Sequence, residues 1–533
     1  MHDMATSAHT RTVFTGGLVA DGSGADLQPA DVVVSGEVIE AVVPYEQRPE
    51  SGYDAEVVNC VDRIIAPGFV DIHCHSDLSL IAYPGNESRV GQGITTEVVG
   101  NCGMSPAPSG GDRAGLKRVI STIDVVPDLD WTWTDVQGWR EALESTPTAT
   151  NVAMQLGHGA ARFAIAGEAG RFLADDELDS MTRELHTAMD SGCVGVSLGL
   201  MYAPGEGAST AELTRIAQTV AKHDGVLSVH LSDYRASSLI SAINEVALPA
   251  RKAGARLQIS HLRSIGYGTA FQDVLEYIED LRLEQDIAAD SYPYVHGHTT
   301  LLQLLPSEMR GQGPSAVLAT AKANPSDVAR MFRETGYTTD SIIIMKATAR
   351  PDAVGLSLSD IDADPWGWLT ALLVDCGGNV DVAVESGVWS DVDLAMRTPW
   401  VSIASDGSAL GFGHRASVAH PRSWGAFPAS YRRMRDAGVW IGEAVRRMTE
   451  GPGERAGITA RIEAGHRADI SVIEDARFDS AATFASPATW AVGLDHVMTN
   501  GTLVLRDRAG TTARPGTVLT NSNQRGNSCL ISH

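Results

Sequence analysis

Cysteine is sparse in this chain of 533 residues. The six present (Cys60, Cys74, Cys102, Cys193, Cys376 and Cys529) are scattered with no paired spacing. That argues against a disulfide framework and for free thiols in a reducing compartment. No apolar run reaches the length of a membrane span. The opening stretch, Met1 to Arg11, is polar and lacks the apolar core of a signal peptide, so the expected location is cytoplasmic. Basic residues are outnumbered: lysine and arginine total 41 against 66 aspartates and glutamates, a net charge of −25. This balance disfavours nucleic acid and anionic membrane surfaces. A small-molecule substrate is the expected partner, and a homo-oligomer is left open. Repeats and low-complexity segments are also missing. What remains is an ordinary globular composition, 43% hydrophobic and 20% charged, able to bury a large core.

Residues 12–65 read as short strands, Thr12–Val19, Asp31–Ser35, Val38–Val43 and Ala55–Asn59, separated by turns rich in Gly, Asp and Pro. From residue 64 apolar strands alternate with longer amphipathic segments. The candidate strands are Ile64–Ile72, Thr95–Asn101, Thr150–Leu156, Cys193–Leu200, Gly225–Val229, Arg256–Ser260, Ile287–Ser291 and Trp400–Ser405. Helical patterns lie between most of them, at Gly115–Ile123, Asp176–Asp190, Thr210–Lys222, Ser237–Lys252 and Ala270–Glu284. Repeated strand–helix alternation predicts an α/β fold with a parallel sheet, and eight units predict a closed (β/α)8 barrel of TIM type. The stretch from about 302 to 396 is too long for a connection inside a compact unit, so it is read as an insertion late in the barrel. After 455, short strand patterns resume at Arg467–Glu474, His496–Thr499 and Thr502–Arg506. The expected division is a barrel over 64–455, a small discontinuous β-sandwich made of 1–63 and 456–518, and a polar tail over 519–533.

In such barrels chemistry gathers where strands end. Ile64 to Ile72 leads into His73 and His75, two apart and therefore on one side of the chain, where they can hold a cation between them. A His-x-His by itself is commonly two polar residues of a surface loop. The other strand ends decide otherwise: Cys102 follows the second, His158 the third, Tyr202 the fourth, His230 the fifth, His261 the sixth, Tyr292 and Tyr294 the seventh, and Asp406 the eighth. His73, His75, Cys102, His230, His261 and Asp406 suffice for one or two divalent metals, and the mix of Cys with His favours zinc. Asp406 stands where it can act as a general base, as a metal ligand, or as both.

Pro-Gly-Phe-Val-Asp-Ile-His-Cys-His at 67–75 resembles the first-strand motif of the amidohydrolase superfamily. Further pieces narrow this: Gly-Asn-Cys-Gly at 100–103, Gly-His-Gly at 157–159, Tyr-Ala-Pro-Gly at 202–205, Ser-His at 260–261, Tyr-Pro-Tyr at 292–294, Ser-Asp-Gly at 405–407 and His-Pro-Arg-Ser-Trp-Gly at 420–425. Together they resemble the D-aminoacylase (N-acyl-D-amino-acid deacylase) family over roughly residues 10–505. The resemblance implies zinc-dependent hydrolysis of N-acyl-D-amino acids. It implies a tight zinc on Cys102, His230 and His261, and a second, weaker ion on His73, His75 and Asp406 with Cys102 as a bridge. Asp406 becomes the general base and acid. Arg422, in the expected loop from Gly411 to Phe427, becomes the grip on the substrate carboxylate. Tyr202 and Tyr292, with His158, join the substrate-binding set.

Two positions depart from the family pattern. Arg263 replaces the usual Lys two residues after the sixth-strand His, and His298 replaces the Ser that follows Tyr-Pro-Tyr-x-Gly. Both are expected to reach the substrate pocket, where Arg is no equivalent of Lys and His can titrate. One rival is a cyclic-amide hydrolase of hydantoinase or dihydroorotase type, or an enzyme for another amide or a carbamate. The cyclic-amide type bridges its metals with a carboxylated Lys. Between His75 and His230 only Lys117 and Lys222 occur, both in helical patterns. A non-enzymatic scaffold is the other rival, and it would be expected to have lost ligands.

Overall fold

Strands buried on both faces are written as apolar runs, and here those runs pair in parallel in the order they occur. Phe69–Asp71, Ile94–Val99, Asn151–Gly157, Gly195–Gly199, Val226–His230, Arg256–Ile259, Ile287–Ser291 and Val401–Ile403 each hydrogen-bond to the next. The first and last are tied beyond their ends: Asp406 N–H donates to the His73 carbonyl and His75 N–H to the Gly407 carbonyl, both at 2.8 Å. This nearly closed eight-strand barrel is the α/β architecture predicted from the alternation. The computed structural model describes residues 11–49, 52–121, 129, 131–263, 265, 268–361, 363–413 and 420–520. Residues 1–10, His414, Cys529 and the tail from 521 lie outside them. Among the described residues, five cysteines are buried and outside any disulfide, and no helix is long and apolar enough to cross a membrane.

Helices cover the barrel. Thr210–Lys222 begins where Ser209 accepts the Glu212 N–H, and it buries Leu213, Ile216, Ala217 and Val220, one stripe at helical spacing. Arg113–Ile120, Asp175–Asp190, Leu239–Ala253 and Gly268–Arg282 match the other expected helices to within a few residues, residues 122 and 123 of the expected Gly115–Ile123 lying outside the described residues. His158–Ala166 starts directly at the end of the third strand, and Arg422–Asp436 takes the place of the loop expected up to Phe427.

Two expectations are corrected. The run Ile64–Ile72 is two strands in different sheets. Ile64–Pro67 pairs with Ile470–Ile473 and Leu18–Val19, whereas Phe69–Asp71 opens the barrel. Gly68 is the crossing point, and a Cβ there would lie 2.1 Å from Thr95 Oγ1. Second, the inserted segment starts at His296, not near 302. His296–Thr300, Val380–Glu385 and Ile342–Ala347 form an antiparallel three-strand sheet. Its apolar face (Ile342, Ile344, Val380, Val382, Val384) packs on helices Pro314–Ala323, Pro325–Glu334 and Pro365–Asp375 through Val317, Phe332 and Leu369.

Outside the barrel, six strands between Arg11 and Pro67 and four between Ile470 and Gly510 join in one ten-strand sheet. Phe14, Val32, Ile65, Ile470 and Met498 belong to a single buried cluster beneath it. Val518–Leu519 adds to the third barrel strand through Val152 and Ala153, so Leu519 is not part of a frayed tail.

Gly68→Ala is expected to destabilise the protein by about 1–3 kcal/mol, since Thr95 is buried and cannot yield freely. A lowered Tm with unchanged metal binding is the result to look for, and an unshifted Tm would show that the crossing tolerates a side chain.

Candidate active site

The strand ends bring six side chains into one buried group. Cys102 Sγ lies 3.3 Å from His73 Nε2, 3.4 Å from His230 Nδ1 and 3.6 Å from His261 Nε2. Zinc–sulfur and zinc–nitrogen bonds of about 2.3 and 2.0–2.1 Å at a tetrahedral angle put two such ligand atoms roughly 3.5 Å apart, so the sulfur–nitrogen spacings fit a shared ion. His261 Nε2 and His230 Nδ1 are closer, at 2.9 Å. Asp406 Oδ1 stands 3.1 Å from His75 Nε2 and 3.5 Å from His73 Nε2. Two overlapping sets result, Cys102–His230–His261 and His73–His75–Cys102–Asp406, each with its ligand atoms within 4.8 Å of one another. All six side chains are buried.

Burial would push the Cys102 thiol up, but His73 and His230 outweigh it and hold the thiol well below its ordinary value. Burial lowers His230 to about 4, which keeps that imidazole neutral and able to donate a lone pair. Burial also works against ionised Asp406, yet the Arg422 guanidinium and His75 hold its carboxyl well below the carboxylate range. Burial works against a proton on His73 and His75, yet Cys102 and Asp290 hold His73 well above its ordinary value and Asp406 holds His75 up at about 9, so these two rings must release a proton when the set takes a divalent cation.

Backbone strain marks the same residues. Cys102 (φ 52°), His261 (φ 34°) and Asp406 (φ 51°) all adopt left-handed conformations, which cluster at functional sites because the surrounding structure must impose them. Gly100, two residues before Cys102, also has positive φ (82°), and a Cβ there would lie 2.1 Å from the Gln155 carbonyl oxygen.

The group forms the floor of a cavity of about 1060 Å³. Tyr202, Arg263, Tyr292 and His298 stand on its walls, and Leu304, Leu305, Met331 and Tyr337 of the inserted segment close over it. Arg263 lies 4.5 Å over the Tyr292 ring, and Arg422 lies 5.2 Å from the same ring.

A family model for the amidohydrolase family matches residues 56–300. D-aminoacylase of Alcaligenes xylosoxydans xylosoxydans is 28% identical over 95% of this chain and 97% of its own length. N-acyl-D-glutamate deacylase of the same organism is 29% identical over 95% and 96%. The crystal structure of N-acyl-D-glutamate deacylase from Bordetella bronchiseptica, complexed with zinc and a phosphonate inhibitor, superposes with a TM-score of 0.80 at 27% identity. That match covers 96% of this chain and all of the other. Residues 56–300 thus match the amidohydrolase family, and nearly the whole chain is similar to deacylases of N-acyl-D-amino acids.

Two expected substrate contacts sit elsewhere. His158 is fully buried behind the cavity wall, its Nε2 2.7 Å from Glu212 Oε1, and Arg162 pairs with the same carboxylate. The place of His158 after the third strand puts it among the expected substrate contacts, but helix His158–Ala166 starts there and folds it under. Arg422 does not line the cavity. Its Nη1 donates to Asp406 Oδ2 at 2.5 Å, and only 3% of the residue is exposed. Lys117 and Lys222 both lie on outer helices, away from the floor.

Two residues that the pattern reading passed over support the floor. Asp290 Oδ1 takes the His261 backbone N–H at 2.7 Å and faces His73 Nδ1 at 3.2 Å, while Oδ2 accepts from Gln258 at 3.0 Å. Its contact with Nδ1 leaves His73 Nε2 free to face Cys102, the arrangement common around ligating histidines. A lone carboxylate inside the apolar strand Ile287–Ser291 was the available signal. Tyr234 places its ring against both His230 and His261 while its hydroxyl bridges Leu231 N–H and the Ser260 carbonyl.

Asp290→Asn is expected to weaken metal binding by about 10–100-fold while leaving the fold intact. Zinc titration of metal-free protein checks it, and an unchanged affinity would remove Asp290 from the support of His73.

Proposed function

We propose that this protein hydrolyses the amide bond of N-acyl amino acids, with preference for the D enantiomer. The observation that carries the reading is the Cys102 thiolate facing His73, His230 and His261 at the cavity floor, with Asp406 beside it. We assign Cys102, His230 and His261 to a tight zinc, and His73, His75 and Asp406, sharing Cys102, to a second and weaker ion. Zinc held there supplies Lewis acidity and lowers the pKa of water towards about 7.

The rest is the work of the chain's own residues. Asp406 takes the proton of the attacking water and returns it to the departing amine. His75 and Arg422 hold its carboxylate ionised and aimed. Of the three arginines that line the cavity (Arg235, Arg263 and Arg310), Arg263 is the one stacked on Tyr292, so we assign it the substrate α-carboxylate first. Arg422 joins only where it releases Asp406. Tyr292, between the two guanidiniums, fixes the carboxylate's position. Tyr202, edge-on to His230 at 4.6 Å, forms the opposite wall and packs on the substrate side chain. A reacting carbonyl, a carboxylate and a side chain held at three points distinguish mirror images, since inversion displaces one of them. The hand itself is taken from the deacylases of D-amino acids to which the chain is similar.

We further read the protein as a cytoplasmic enzyme for a small-molecule substrate. We divide it into a barrel over 64–455 and a discontinuous β-sandwich of 1–63 with 456–518. The ten-strand sheet supports the discontinuous unit.

Asp406→Asn is expected to keep the tight zinc and to lower kcat by at least ~10²-fold, because Asn offers an oxygen but takes no proton. A near-normal rate would move the base role elsewhere. Initial rates on N-acetyl-D- and L-Met, Leu, Phe and Glu, with added zinc, test the reaction itself. Faster turnover of the D compounds is expected; faster L turnover would reverse the stereochemical claim, and no turnover of either would turn the search to cyclic amides and carbamates.

A further inference from the structure

The inserted sheet has two unlike faces. Val380, Val382 and Val384 of its central strand point into the apolar cluster under the helices. Side chains alternate along a strand, so Asp381 and Ala383 face the other way, towards the barrel. Lys346 pairs directly opposite Asp381, and His298 opposite Ala383, on the two flanking strands. Lys346 and Asp381 are 8% and 2% exposed. Charges that deep are retained only where they are paired and hydrogen-bonded.

The partners are specific. Lys346 Nζ lies 2.6 Å from Asp381 Oδ2 and donates to the Ser121 carbonyl at 3.0 Å. Ser121 caps the C-terminal end of helix Arg113–Ile120, which follows the barrel strand that leads to Cys102. The same Asp381 Oδ2 faces His298 Nε2 at 3.8 Å, a small ring rotation from a hydrogen bond. That Nε2 is buried and has no other partner within hydrogen-bond distance. His298 lines the cavity, so Nδ1 is the nitrogen a ligand can reach. Burial, with Arg422 and Lys346 nearby, keeps the imidazole well below its usual value and therefore neutral.

We propose that Lys346 and Asp381 are positioning residues which fix the His298 ring as one tautomer, Nε2–H towards Asp381 and the Nδ1 lone pair offered to a hydrogen-bond donor of the bound substrate. A lysine pinned to the barrel through Ser121 gives that ring a fixed bearing over the cavity floor, although the ring itself belongs to the inserted sheet. The scissile amide N–H is a donor present in every N-acyl amino acid. What occupies the cavity rests on the proposed function; the chain from Lys346 to His298 does not.

A double-mutant cycle tests this, with Lys346→Met, His298→Ser and both together measured on an N-acyl amino acid that the wild type hydrolyses. Each single change is expected to raise KM about tenfold, the loss of one hydrogen bond to a substrate, with kcat and zinc content little altered. In the double variant KM should be no worse than in His298→Ser alone, because Lys346 acts through that ring. Additive effects on KM, or no effect of Lys346→Met, would overturn the proposal. If Lys346→Met does not fold, Asp381→Asn, which keeps the side-chain shape, runs the same cycle with the same criteria. If the wild type hydrolyses no N-acyl amino acid, the proposed function fails separately. The cycle is then read from Tm, where non-additivity between positions 346 and 298 supports the chain and strict additivity overturns it.

Discussion

A thiolate buried among imidazoles is the constraint around which this barrel is built. Cys102 has histidine nitrogens within 3.6 Å on three sides. Taken alone, such an arrangement traps negative charge in a medium that disfavours it, and a divalent cation resolves the conflict. The backbone shows the cost of assembling it. Left-handed conformations at Cys102, His261 and Asp406 cost on the order of 1–3 kcal/mol each, and they persist only where the surroundings over-determine them.

Those surroundings are polar, and they lie beneath the floor rather than in the cavity. Asp71, in the first strand, accepts the Ser405 N–H at 3.0 Å and the Ser405 hydroxyl, which fixes the residue before Asp406. Arg89, fully buried, stands between Asp71 and Glu97 at 3.5 and 3.2 Å and donates to Ser405 Oγ at 2.8 Å. Asp290 does the equivalent for His73 and His261 on the opposite side. Asp406 is thus held, through Ser405, by a carboxylate whose own charge Arg89 compensates. This is how a buried ionic network becomes rigid rather than merely expensive.

Much of this was legible in the sequence because it is local. Apolar runs separated by amphipathic segments announce parallel strands, and residue types at strand ends announce a floor. The failures share one cause, dependence on partners far along the chain. Ile64–Ile72 reads as one strand because both halves are apolar; only the pairing of Ile64–Pro67 with Ile470–Ile473, some four hundred residues away, splits it. His158 looks like a substrate contact until Glu212 and Arg162 claim it. Arg422 looks like a carboxylate clamp until Asp406, sixteen residues earlier, is found to accept its guanidinium. Asp290 carried a readable signal, a carboxylate in an apolar strand, but strand-end counting starts two residues further along, at Tyr292.

Net charge gives a further lesson about scale. With −25 overall, the chain would be expected to repel an anionic substrate. Solvent and salt screen that repulsion beyond about 8–10 Å, so the sum over the surface says little about the inside of a cavity. Within the cavity the local charges differ. Arg263 makes no carboxylate contact there; it stacks on Tyr292 and reaches Ser386 at only 3.4 Å. Arg235 is matched by Asp233 at 2.6 Å, and Asp406 is matched by Arg422 and His75. Arg310, also at the wall, reaches only the Gln303 carbonyl at 3.4 Å, so among the described residues Arg263 and Arg310 are the wall guanidiniums without a carboxylate contact, and Arg263 is the one stacked on an aromatic ring. A planar fork beside an aromatic face suits a carboxylate better than the flexible ammonium of a lysine would. On the function proposed above, an anionic small molecule is met by wall guanidiniums acting over a few ångströms, a range at which the acidity of the surface does not oppose it.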